Sequence, residues 1–131
     1  MNLRWKKSKK AVCNIGYHLI WCVKFRRKAL KGAIETRLKE IILERALVAG
    51  AEIITLEVMP DHVHVFVKAD PTDSPHYLVQ QFKGYASHAL RVEFPELQKL
   101  PCLWSRSYYC ETVGHISERT VKRYIRDQKG K

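Results

Sequence analysis

Long apolar runs are missing from this chain: nothing approaches the ~20 consecutive apolar residues that a spanning helix needs, which sets a membrane-embedded class aside. No secretory leader is recognisable either. The basic opening, MNLRWKKSKK, runs into the mixed segment Ala11 to Tyr17 instead of an apolar stretch with a small-residue cleavage site, so the cytoplasm is the expected location. The four cysteines, Cys13, Cys22, Cys102 and Cys110, form no C-x-x-C pair, which argues against a zinc ribbon or a thioredoxin-type motif. Buried free thiols are expected, with disulfides left open for a hyperthermophile. There is no Gly-x-x-x-x-Gly-Lys loop, no repeat and no low-complexity tract. Acidic residues are also scarce, 13 against 24 lysines and arginines, for a net charge of +11. That imbalance favours a polyanionic partner, nucleic acid before an anionic membrane surface.

What is present fits one domain: 131 residues lie within the usual ~100–150, with 46% hydrophobic and 28% charged residues. Residues 1–10 read as an exposed basic arm around Trp5. Tyr17 to Phe25 reads as a first, central strand, with Tyr17, Leu19, Trp21 and Val23 on one face. Ile34, Leu38, Ile41, Ile42, Leu47 and Val48 recur at helical spacing from Ala33 to Ala49, and Gly50 stops them. Glu52 to Val58 and His62 to Lys68 form a hairpin with Pro60 and Asp61 at its tip. Ser74 and Pro75 start a second helix that Pro95 closes. Trp104 to Thr112 reads as a strand or strand pair, and a last helix over 117–130 follows Gly114. The order β-α-β-β-α-β plus a terminal helix predicts an α+β, ferredoxin-like split βαβ antiparallel sheet with its helices on one face.

Alternation along His62 to Val67 points the valines one way and His62 and His64 the other, leaving two imidazoles side by side on the sheet's open face. By itself an H-x-H pair is more often two solvated histidines. In the last helix Tyr124 and Gln128 share a face, along a seam with Val121 and Ile125 that a core-facing helix would also show. A buried amide such as Gln128 needs partners, however, and a metal is one candidate.

The segments YHLIWCVKFRRKAL at 17–30, MPDHVHVFV at 59–67, QFKGYAS at 81–87, LWSRSYY at 103–109 and YIRDQK at 124–129 together resemble the single-tyrosine HUH transposases of short insertion sequences, the TnpA group. The resemblance covers nearly the whole chain. It implies Tyr124 as the nucleophile on a C-terminal catalytic helix, and His62, His64 and Gln128 as ligands of a divalent metal, Mg²⁺ or Mn²⁺. It further implies cleavage and rejoining of single-stranded or hairpin DNA through a 5′-phosphotyrosine by a homodimer. Such a link stores the phosphodiester energy, which suits a chain without a nucleotide-binding loop. Candidate DNA contacts are Arg4, Lys6, Lys83, Arg91, Arg106, Lys122 and Arg123 for phosphates, with Trp104 and Tyr108 stacking on unpaired bases. Three alternatives stand beside this reading: a non-catalytic nucleic-acid binder on the same fold, a zinc-dependent hydrolase using the two histidines, and a domesticated relative that processes chromosomal palindromes.

Overall fold

The computed structural model describes residues 6–7, 12–13, 15–70 and 72–113. The expected helix over 117–130, with Tyr124, Gln128, Lys122 and Arg123, lies outside those residues, as does Arg4. Within the basic arm, β1 (Lys6–Lys7) pairs antiparallel with β2 (Val12–Cys13), so part of it carries a short ladder. Then follow β3 (Ile15–Cys22), α1 (Ala33–Ala49), β4 (Glu52–Met59), β5 (His62–Ala69), α2 (Pro75–Glu93) and β6 (Tyr109–Val113). The four long strands make one antiparallel sheet in the order β4-β5-β3-β6. This is the expected split βαβ arrangement, with the first and third strands of the repeat in the middle.

Period-two alternation decides what each face holds. Tyr17, Leu19 and Trp21 of β3 and Val63, Val65 and Val67 of β5 join one buried cluster with Leu38, Ile41 and Ile42 of α1 and Leu78, Phe82 and Leu90 of α2. Trp21 stacks on Phe82 with ring centroids 6.2 Å apart. Both helices therefore cover the face opposite the histidines. The apolar stripe of α1 differs from expectation at its end, since Leu47 and Val48 are exposed and Ala46 is buried. Leu38, Ile42 and Ala46 fall four apart on one face, and the next two residues rotate off it. Gly50, at φ 72°, ends the helix in the left-handed conformation and returns its amide to Ala46 and Leu47. Ser74 caps α2 by accepting the Tyr77 amide at 3.1 Å, with Pro75 in the first turn.

Three details depart from the sequence pattern. Strand β3 ends at Cys22, and Val23 makes only an isolated bridge to Trp104. Phe25 and Arg26 then take positive φ values of 59° and 53°, which no extended strand allows. Residues 104–108 are not a strand either: the Lys83 ammonium donates to the carbonyls of Ser105 (2.8 Å) and Ser107 (3.3 Å), occupying groups a ladder would use. Finally, the β4–β5 register shifts between Ile53 and Thr55, which makes Ile54 a bulge. The extra residue sends Leu56 and Val58 toward the core and turns Thr55, Glu57 and Met59 to the histidine face.

Candidate active site

The face of the sheet away from the helices gathers chemistry that strand register brings together. His64 stands opposite Ile20 of β3 and Glu57 of β4, while His62 stands opposite Cys22 and Met59. The two imidazoles are 4.7 Å apart between ring centroids, edge to face. His62 Nδ1 lies 2.6 Å from Asp61 Oδ1, and the other carboxylate oxygen accepts from Arg26 Nε at 3.2 Å and Nη2 at 3.1 Å. The left-handed backbone at Phe25 and Arg26 carries that guanidinium to the hairpin tip. Burial alone would raise the Asp61 carboxyl, but its hydrogen bond and charge contact with His62, and then Arg26, outweigh burial and hold it below its ordinary value. With Nδ1 engaged, His62 presents Nε2, the arrangement that fixes the ring of a metal-binding histidine.

The expected open face is less open than alternation suggested. His62 keeps 21% of its side chain exposed, but His64 is 4% exposed and His18 is wholly buried. His18 stacks on His64 with centroids 5.8 Å apart and meets Tyr109 edge-on at 6.1 Å. Burial pushes its imidazole below the usual pKa, against an upward pull from Glu111, its neighbour across β6. The sequence reading passed over His18 because it belongs to no His-x-His pair. Its position between Tyr17 and Leu19 nevertheless assigns it by alternation to the histidine face.

The DNA-contact candidates separate. Arg106 is exposed, and Tyr108 is half-buried with its hydroxyl 3.2 Å from His76 Nδ1. Lys83 is half-buried and tied to two carbonyls, and desolvation lowers its pKa. Arg91 donates to the carbonyls of Leu100 and Pro101. Lys6 lies in β1. Trp104, expected to stack on bases, belongs instead to the core: it is 6% exposed, meets Trp21 edge-on at 6.1 Å, and donates its indole N–H to the Lys83 carbonyl. A ring held on both sides by protein is not offered to a base. Cys22, Cys102 and Cys110 are free thiols, half-buried instead of fully buried as expected, and no described helix is long and apolar enough to cross a membrane.

Residues 11–128 match the family model described as "Transposase IS200 like". The chain belongs to the IS200-like transposase family. This transposase is 37% identical over 132 residues to the ISDra2 transposase TnpA of Deinococcus radiodurans, spanning 98% of this chain and 94% of that one. It is 27% identical over 118 residues to the IS200 transposase of Salmonella typhimurium, covering 88% of this chain and 77% of that protein. Among solved structures, a Deinococcus radiodurans chain solved as a candidate transposase superposes with a TM-score of 0.77 at 35% identity, over 94% of this chain and 97% of that one. A REP-associated tyrosine transposase bound to a REP hairpin shares the fold at a TM-score of 0.65 and 14% identity, over 93% of this chain and 68% of that one.

Proposed function

We propose that this transposase cleaves and rejoins single-stranded DNA at the ends of an insertion element, using Tyr124 as nucleophile and a divalent metal ion, with a homodimer as the active form. The observation that carries the reading is the pair of neighbouring imidazoles, His62 and His64, on one sheet face of a chain that belongs to this family. Both would hold the ion, with Gln128 as the third ligand. The donor set fits: two ring nitrogens and a neutral amide leave the charge of Mg²⁺ or Mn²⁺ uncompensated, and the Asp61 contact leaves His62 Nε2 available. Once bound, the ion polarises the scissile phosphate.

The chain's own part is nucleophilic. The Tyr124 phenol gives up its proton and its oxygen bonds to phosphorus, the 3′ oxygen leaves as a hydroxyl, and a 5′-phosphotyrosine remains. A DNA 3′ hydroxyl reverses the step, re-forming the phosphodiester and releasing the phenol without ATP. Unpaired DNA suits a site on a sheet face, because the phosphate must be exposed and its neighbouring bases unstacked. The hairpin-bound structural relative supports a hairpin substrate. The test is incubation with single-stranded hairpin DNA and Mg²⁺ or Mn²⁺, followed by a denaturing gel. A covalent protein–DNA band is expected, absent in Tyr124→Phe and strongly reduced in His64→Ala; a full band from Tyr124→Phe would refute the mechanism.

A further inference from the structure

Helix α2 contains a glycine that the fold does not explain. Gly84 sits mid-way along Pro75–Glu93, where glycine is less favourable than alanine because it has more backbone freedom to lose. Two structural reasons would justify it, and neither applies. Its φ is not positive, since Gly32 and Gly50 are the described glycines with that property. Nor does close packing among the described residues require it, because a Cβ built at Gly84 meets none of their atoms within 4 Å. The remaining reason for a helical glycine is approach of the backbone by something outside the described residues, and the chemistry of the neighbouring space says what suits it.

The space beside Gly84 is shaped for such an approach. An open hollow of about 510 Å³ is lined by Gly84, Ser87, His88, Arg91, Val92 and Gln98. Among the described residues no carboxylate lines it. The Arg91 guanidinium is held by the carbonyls of Leu100 (3.1 Å) and Pro101 (3.5 Å), and these two bonds use two of its five N–H donors. Gln98 donates its amide nitrogen to the Arg91 carbonyl at 2.9 Å, which tightens the same corner. A fixed cation with donors to spare, an exposed imidazole, a serine hydroxyl and an open stretch of helix backbone suit phosphate oxygens better than an apolar ligand.

We infer that this hollow docks a phosphodiester segment of the bound DNA, with Gly84 admitting the strand close to the α2 backbone while Arg91 and His88 contact its phosphate oxygens. The inference rests on the proposed DNA-processing function and adds a contact site on the helix side, away from the histidine face.

The test exploits an opposition between stability and binding. Gly84→Ala adds a methyl where no atom of the described residues waits, so the free chain should melt about 2–8 °C higher. The same methyl stands where the strand must pass, so affinity for a fluorescent DNA hairpin, read by anisotropy at fixed salt, should fall by roughly 3- to 10-fold. Gly84→Glu, which also retains helix propensity, places a carboxylate in the hollow and should weaken binding further, by roughly tenfold or more. A parallel gel records covalent adduct formation by the wild-type chain. Wild-type affinity in both stable variants would overturn the docking site while leaving adduct formation, and with it the proposed function, standing. Loss of affinity in the variants without any wild-type adduct would support the docking site and refute strand transfer. A wild-type chain that binds no DNA would overturn both.

Discussion

Asp61 fixes His62 through one ring nitrogen and is itself fixed by Arg26, so two residues from two loops brace one imidazole at the start of β5. Asp61→Asn should leave the fold intact, because the Arg26 contact is solvent-exposed on the arginine side and such pairs are worth ~0–1 kcal/mol. Its effect should fall on the ring: Mn²⁺ affinity, titrated directly by calorimetry, is expected to drop about 10- to 100-fold. His18 makes a different prediction. Its pKa is lowered in the fold from 6.5, so the folded state favours the neutral ring and its stability contribution is fully present above that value. As pH falls through 6.5 toward the folded pKa, the unfolded chain gains the proton first and stability is lost. His18→Gln should flatten this acid limb in urea melts recorded between pH 7 and 5. Alternation made His62 and His64 readable as a pair, and it assigns His18 to the same face. What it could not convey is burial, since His64 is enclosed by rings from β3 and β5 that are distant in sequence.

Helix punctuation was the most legible part of the elements. Ser74 followed by Pro75 announced α2, and Ser74→Ala is expected to destabilise the chain by about 1 kcal/mol in urea unfolding with an unchanged slope. Gly50 likewise marked the end of α1. The bulge at Ile54 left no mark, because Ile53, Ile54, Thr55 and Leu56 read equally well as a plain alternating strand. Its effect is large all the same. Were Ile54 counted into a plain ladder, every later residue of β4 would change face, pointing Glu57 and Met59 at the core and Leu56 and Val58 away from it. Deleting Ile54 removes the bulge but leaves Ile53 opposite Val67 and Thr55 opposite Phe66, so that variant should keep its faces and still show a cooperative melt. The segment around Trp104 has the composition of a strand, WSRSYY, but the side chain of Lys83, from another element, takes the carbonyls of Ser105 and Ser107 that a ladder would use.

The net charge of +11 belongs to the whole molecule. If several lysines and arginines contact phosphates, raising salt from about 50 to 200 mM should weaken hairpin binding by roughly a hundred-fold or more, a slope measurable by anisotropy. Assembly has its own test. Tyr124→Phe and His64→Ala chains, each inactive alone, should recover cleavage when mixed if the homodimer shares its sites, with the phosphotyrosine on the His64→Ala chain. Verified mixed dimers that stay inactive would place tyrosine and histidines in one subunit. The order of the sheet also bears on how the chain is made. Strand β6 completes the sheet by pairing Val113 with Gly16, residues almost a hundred positions apart, whereas the β4–β5 hairpin closes locally. On the ribosome the hairpin can form early, while one edge of β3 waits unpaired until β6 emerges. Nascent chains stalled before Tyr109 should therefore recruit chaperones or aggregate, which ties the supply of active protein to the pace at which the residues from Tyr109 onward are translated.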